Sequence, residues 1–257
     1  RRQRQMCIRD SMRIDIWSDI VCPFCYVGKR NLEQALAEFE HRDEVEVVWH
    51  SFELDPSATE HPAGSLPEMI AGKYQMSLEQ AIASQESLAE RAREVGLDFN
   101  WRQARYGNTF DAHRVIHYAA EQGLASAAQE AFKLAYFTQG RSVQDHESIL
   151  DIASEIGLDT AEVEAVLKSD RYAADVRADE QLARQLGING VPFFLIESKW
   201  AVSGAQPAEM LVQALRQVWE ETHRVEFLNP LAGAAGDAAG NNAAEAGPSC
   251  DMNGNCS

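Results

Sequence analysis

Residues 13–28 read RIDIWSDIVCPFCYVG, a β-favouring run that ends in two cysteines three positions apart. No other stretch constrains the chain as strongly, because of what stands on either side of the pair. Ile14, Ile16, Ile20 and Val21 are β-branched and Trp17 is aromatic, so residues 13–21 predict a strand. Leu32, Leu36 and Phe39 then recur at i, i+4 and i+7 in NLEQALAEFE, a segment rich in helix formers. VEVVWHSFEL (45–54) alternates, is β-rich and is closed by DPS, so it predicts a second strand. Strand, helix and strand in so short a span form a βαβ unit with a parallel pairing and a right-handed crossover. Cys22 and Cys25 sit at its strand–helix junction.

From about 66 to 187 no stretch has strand character. SLEQAIASQESLAERAREVG, TFDAHRVIHYAAEQG, ASAAQEAFKLAYFTQG, ESILDIASEIG and YAADVRADEQLARQLG have helical spacing and stop at Gly96, Gly123, Gly140, Gly157 and Gly187. Glycines in those places predict left-handed C-caps. DTAEVEAVLKS adds a helix with an acidic first turn. β character returns in GVPFFLIES (190–198) and KWAVSGA (199–205). A last helix is predicted over PAEMLVQALRQVWEETH, with Leu211, Leu215 and Val218 on one face and Pro207 at its start. The order βαβ, helical block, ββα predicts an α/β fold in which residues 12–60 and 188–228 form one domain and 61–187 a large all-helical insertion. Residues 229–257, rich in Ala, Gly and Asn, predict a flexible tail, which ends in CDMNGNCS.

The formal net charge of −17 excludes a non-specific nucleic-acid binder and argues against docking on anionic lipid. Apolar runs such as VPFFLI are far shorter than the roughly 18 residues a membrane helix needs. RRQRQMCIRDS, residues 1–11, is basic where the rest is acidic; without its four Arg and one Asp the charge is −20. No apolar stretch follows it as in a signal peptide. It resembles the translation of a sequencing adapter read into the gene, so it is read as a non-native leader, with Met12 as the start and Cys7 without a role. The expected compartment is the cytoplasm, where cysteines are more often catalytic or metal-bound than structural.

A Cys-x-x-Cys at a helix start places both sulfurs on one helical face, close enough to bridge. The first faces the orphan N–H groups and the positive end of the helix dipole, which favours thiolate and predicts a depressed pKa for Cys22. Pro23 suits the first turn because it has no N–H to leave unpaired. Two other readings compete. A four-cysteine zinc site would have to recruit Cys250 and Cys256 from the tail, and a structural staple is rare in the cytoplasm. A redox pair is favoured by the βαβ context. Val191–Pro192, just before a late strand, is either a plain strand start or a cis-proline device.

SDIVCPFCYVGKRNL, NTFDAHRVIHYA and GINGVPFFLI together resemble the DsbA-like thioredoxin proteins, and within them the FrnE-type oxidoreductases, over roughly residues 13–228. The resemblance implies a thioredoxin fold with a helical insertion and thiol–disulfide exchange, with Cys22 as nucleophile, Cys25 as resolving cysteine and Pro23 and Phe24 between them. It also implies a cis Pro192, with Val191 offering backbone hydrogen bonds to unfolded or disulfide-containing client proteins. DsbA itself carries Pro-His where this chain has Pro-Phe, so Cys22 is expected to be less depressed and the pair less oxidising. No bound cofactor or metal is expected; glutathione or a thioredoxin-type system is the candidate electron partner. The same broad family includes glutathione-dependent isomerases of the 2-hydroxychromene-2-carboxylate type and kappa-class transferases acting on small aromatic substrates. These usually carry serine where Cys22 stands. A redox-regulated holdase is a third alternative. Asn108, His113 and Arg114, within a motif shared by these relatives, are candidates to line the cleft; alternatively His113 and His117 simply face the core of the insertion. Some FrnE-like proteins also carry a second cysteine pair near the C-terminus. A Gly-rich coil between residue 229 and Cys250 would span about 25 Å, enough to bring Cys250 and Cys256 to Cys22 as a second redox pair; a metal-scavenging or inert tail is the competing reading.

Overall fold

The computed structural model describes residues 11–58 and 64–223. β1 (Met12–Ser18) pairs parallel with β2 (Val45–Ser51), Ile14 opposite Val47. It pairs antiparallel with β3 (Phe193–Ile196), Ile14 opposite Ile196. β3 turns back into β4 (Trp200–Ser203), so the sheet order is β2-β1-β3-β4. The parallel βαβ unit and the late hairpin are thus both present, in strands shorter than the apolar runs that announced them. Ile20 and Val21 leave the sheet because they pack into the core of the helical block.

α1 (Pro23–Glu38) crosses from β1 to β2, followed by a 3₁₀ turn at Arg42–Glu44. Between β2 and β3 run α2 (Leu66–Tyr74), α3 (Leu78–Glu94), α4 (Phe110–Glu121), α5 (Ala125–Phe137), α6 (His146–Glu155), α7 (Thr160–Leu167) and α8 (Ala173–Gln185). α9 (Ala208–Thr222) follows β4. The 3₁₀ turn and α2 are additions to the elements read from the sequence. The signal for α2 is its capping box, in which Ser65 and Glu68 satisfy each other's orphan donors. The five glycines read as helix stops all have positive φ. At Gly123 the cap is a Schellman turn: Leu124 N–H donates to Ala119 O at 2.7 Å and Gly123 N–H to Ala120 O at 3.0 Å.

Alternation along β1 divides its side chains between two layers. Met12, Ile14 and Ile16 pack with Leu32, Ala35 and Phe39 of α1 and Leu211, Leu215 and Val218 of α9. Trp17 packs on the opposite face with Ala183 and Ile188. The helical block has its own core, including Phe132, Tyr136, Ile149, Ile152, Val163 and Val166, into which Ile20, Val21 and Tyr26 also pack. Its helices therefore seat directly on the β1–α1 junction that carries the cysteines.

Residues from His223 onward form a separate unit in which only His223 is described, so the expected tail, with Cys250 and Cys256, lies outside the described residues. Of the leader only Ser11 is described, whereas Met12 is buried and paired with Val45 as the first residue of β1. Among the described residues no helix is long and apolar enough to cross a membrane.

Candidate active site

Cys22 is the N-cap of α1 and Pro23 its first residue. The Cys22 carbonyl accepts from Cys25 N–H at 3.1 Å and Tyr26 N–H at 3.3 Å, which sets Cys25 one turn inside the helix. Both cysteines are free thiols and both are buried. Phe24 between them is 42% exposed, with the Arg91 guanidinium of α3 5.6 Å from its ring centroid.

The Cys22 sulfur lies 3.6 Å from the Val191 carbonyl oxygen, and the Val191–Pro192 peptide bond is cis. Gly28 lets α1 approach this loop: a Cβ there would stand 2.9 Å from Pro192 Cγ. Any larger residue would separate the helix from the proline.

Beneath the pair lies a polar pocket closed off from solvent. Asp19 is fully buried; its Oδ1 accepts from Ile20 N–H at 2.7 Å and its Oδ2 from Leu54 N–H at 2.8 Å, while His113 Nε2 of α4 sits 3.3 Å from Oδ1. Burial acts to raise the Asp19 pKa, but the bonds from His113, Leu54 and Thr109 outweigh it and hold the carboxyl below its usual range. Lys133 of α5, fully buried as well, donates to Gln129 Oε1 at 2.5 Å. The Ser18 hydroxyl and His113 Nδ1 are buried without a hydrogen-bond partner among the described residues.

The two sulfurs share their protons unequally. The hydrogen bond with Cys25, then burial, push Cys22 well above the ordinary thiol range. Burial also acts to raise Cys25, but the hydrogen bond from Cys22, the Lys133 ammonium and the Asp19 backbone together hold it below that range. The two sulfurs thus share one negative charge. The expected depression of Cys22 by the helix dipole is offset by Cys25 and by burial, while the buried Lys133 ammonium, which the sequence does not announce, favours charge on the pair.

Of the expected cleft residues, Asn108 stands just before Thr109, the N-cap of α4, its Oδ1 accepting from Phe110 N–H at 2.8 Å, and it borders a cavity of about 710 Å³ with Phe110, Asp111 and His146. Arg114 is not in a cleft. It is buried and donates to the carbonyls of Arg171, Val166 and Ser169, tying α4 to the segment between α7 and α8. Nor does His113 line one: it points at Asp19. His117, one turn on, sits 3.1 Å from Ser51 Oγ and 3.2 Å from Asp179 Oδ2. That contact belongs to a second buried network. His50 Nδ1 lies 2.7 Å from Asp179 Oδ1 and its Nε2 2.7 Å from Asp15 Oδ1, with the ring stacked on Trp17.

Sequence reasoning missed Asp19, Gln129, Lys133 and His50. The available signal for Lys133 was its place among Phe132, Ala135 and Tyr136, a lysine in a stretch that is otherwise core. Among the described residues no group of three or more His, Cys, Asp or Glu is arranged to hold a metal ion.

Residues 13–216 match the model of the DsbA-like thioredoxin domain. The chain belongs to that family. Similar solved structures agree with the architecture. A probable DsbA oxidoreductase from Streptomyces coelicolor is 43% identical, with a TM-score of 0.79 over 96% of this chain and 98% of its own. The uncharacterised protein YwbO of Bacillus subtilis (strain 168) is 27% identical over 207 residues, covering 80% of this chain and 96% of its own. A 2-hydroxychromene-2-carboxylate isomerase shares the fold, with a TM-score of 0.63 at 16% identity over 82% of this chain and 97% of its own.

Proposed function

We propose that this DsbA-family protein is a thiol–disulfide oxidoreductase in which Cys22 exchanges disulfides with extended segments of client proteins and Cys25 resolves the intermediate. One observation carries the reading: two free cysteines, one at the N-cap of α1 and one a turn inside it, with the Cys22 sulfur 3.6 Å from the Val191 carbonyl beside Pro192. The two sulfurs share one proton. As a client disulfide approaches, that proton rests on Cys25 while the Cys22 thiolate attacks one client sulfur. The client S–S bond breaks, and the departing thiolate takes the proton from Cys25. The Cys25 thiolate then attacks the Cys22 sulfur, forming the internal disulfide and releasing the second client thiolate, which is protonated from water. Two electrons pass to the client, and the reverse sequence oxidises a dithiol client. Val191 offers its backbone to the client strand, a pairing that reads no sequence and so suits unfolded chains. Glutathione or a thioredoxin-type protein returns the pair to its starting state, and Cys250 and Cys256 act as a second redox pair.

The test equilibrates the full chain in graded glutathione buffers, traps free thiols with a mass-tagged alkylator and assigns the tags by peptide. Cys22 and Cys25 should lose their thiols together, with a second joint step at Cys250 and Cys256. If Cys22 and Cys25 never pair, or each holds one glutathione, the dithiol mechanism is wrong and a glutathione-dependent isomerase or transferase replaces it.

A further inference from the structure

Lys133 is a buried ionisable group that the exchange steps leave unused. It is 0% exposed and its ammonium donates to Gln129 Oε1, a neutral amide that is itself buried. Among the described residues no carboxylate lies within ion-pair distance of it. The nearby carboxylates are engaged elsewhere: Asp19 with His113 and the N–H groups of Ile20 and Leu54, and Glu130 with Lys29, Arg30 and Tyr26. A charge taken out of water without a counter-ion is strongly disfavoured, so a lysine in this place needs an anion.

The helix geometry says which one. Glu130, Lys133 and Phe137 stand at i, i+3 and i+7, one stripe of α5. The two flanking members both touch Tyr26, the residue after Cys25: the Tyr26 hydroxyl donates to Glu130 Oε1 at 2.6 Å, and the Tyr26 and Phe137 ring centroids are 5.8 Å apart. Lys133 lies between these two contacts, facing the first turn of α1, where Cys25 is buried.

We infer that the ammonium of Lys133, supplied by the helical block, is the counter-ion of the reduced cysteine pair and biases that pair toward its reduced form. This rests on the proposed dithiol chemistry and adds the group that sets its equilibrium. The titration behaviour agrees: burial lowers the Lys133 pKa, while Cys25, Asp19 and Cys22 act to raise it and Lys29 to lower it. In the reduced state the two cysteines share one proton and one negative charge, and Lys133 is an ammonium. Oxidation by a client disulfide forms the Cys22–Cys25 bond, consumes one proton from water and yields two client thiols. Oxidation leaves Lys133 without that anion. The disulfide state is thereby disfavoured, and the pair is a stronger oxidant than it would be without the lysine. Lys133 is a positioning and tuning residue; it touches no client.

The experiment compares the full-length wild type with Lys133→Met, which keeps the side-chain length, and Lys133→Arg, which keeps the charge. The readouts are the thiolate ultraviolet absorbance of the reduced protein against pH and the glutathione midpoint of Cys22 and Cys25. Lys133→Met should lose the low-pH thiolate step and move the midpoint by about tenfold or more toward disulfide, about 30 mV for a two-electron couple. Lys133→Arg should retain both. A folded Lys133→Met with wild-type thiolate titration and midpoint overturns the inference while leaving the exchange reading intact; failure of Cys22 and Cys25 to pair in the wild type overturns both. If Lys133→Met does not fold, the thiolate absorbance of the reduced wild type at neutral pH, compared with Lys133→Arg, decides. One thiolate per pair in both proteins supports a monoanion held by the cation, and its absence from the wild type refutes it.

Discussion

Asp179→Asn tests the link between the helical block and the sheet. Asp179 sits on α8, and its carboxylate reaches β2: Oδ1 is 2.7 Å from His50 Nδ1, and Oδ2 accepts from Ser51 N–H at 2.8 Å and lies 3.2 Å from His117 Nε2. The other His50 nitrogen is 2.7 Å from Asp15, which also accepts from Arg13. Side chains of His50 and Asp179 are each 12% exposed and that of Asp15 8%. Burial acts to raise both carboxyls, but hydrogen bonds hold both below the usual range: chiefly from His117 and His50 for Asp179, and from Arg13 and His50 for Asp15. Both are therefore acceptors only, and a ring bonded to both must carry a proton on each nitrogen. Burial alone would lower the His50 pKa; Asp179 and Asp15 outweigh it and raise it.

The signs define a window. The His50 contribution is complete below its unfolded pKa of about 6.5 and is lost as pH rises through its raised folded value. The Asp179 contribution is present above about 3.9 and is lost as pH falls toward its depressed folded value. Removing one member of a buried pair costs about 3–5 kcal/mol. Because Asp15 still faces His50 in the variant, the lower end applies, about 3 kcal/mol at about pH 6. At about pH 9, to the extent that His50 has lost its proton, the loss should shrink toward that of a hydrogen bond, about 1 kcal/mol. Urea unfolding of both proteins at the two pH values measures it. A cost below about 1 kcal/mol at pH 6, or equal costs at both, would refute the charged latch.

Two further substitutions probe the surroundings of the cysteines. Gly28→Ala gains about 1 kcal/mol of helix propensity but drives a Cβ to 2.9 Å from the rigid Pro192 ring, an overpacking of about 1–3 kcal/mol. The net result should be a lower urea midpoint and a changed alkylation rate at Cys22; a raised midpoint with an unchanged rate would contradict it. Glu130→Gln removes a carboxyl held at about 2 against burial by Arg30, Lys29 and Tyr26. Its contribution, present above about 4.3 and lost as pH falls, should disappear from the acid-unfolding profile, a difference of about 1–2 kcal/mol after allowing for solvent screening. Overlapping wild-type and variant profiles between those pH values would count against it.

Much of this protein is written locally. Ile14 and Ile16 alternate with Asp15 and Trp17, Leu32 and Phe39 mark the inner face of α1, and Gly96 through Gly187 punctuate the helices, because strand pleat, helix period and left-handed caps depend on neighbours a few residues away. Cys22 and Cys25 were legible for the same reason: their spacing and the preceding strand already place them on the first turn of a helix. α2 was hidden by its brevity, and the strand ends by Ile20 and Val21, whose apolar character is indifferent to which core they enter.

What the tertiary structure alone decided is where charge settles around those cysteines. Lys133 is more than a hundred residues from Cys25, and nothing in AFKLAYF says that its ammonium ends in a dry pocket behind the pair. His50, Asp15 and Asp179 come from three elements, and Arg114, which reads as a cleft residue, becomes a staple on backbone carbonyls. The elements follow from short-range pattern. The chemistry of the pair depends on desolvation and on contacts between distant segments, and both come into being only when the helical block closes over the β1–α1 junction.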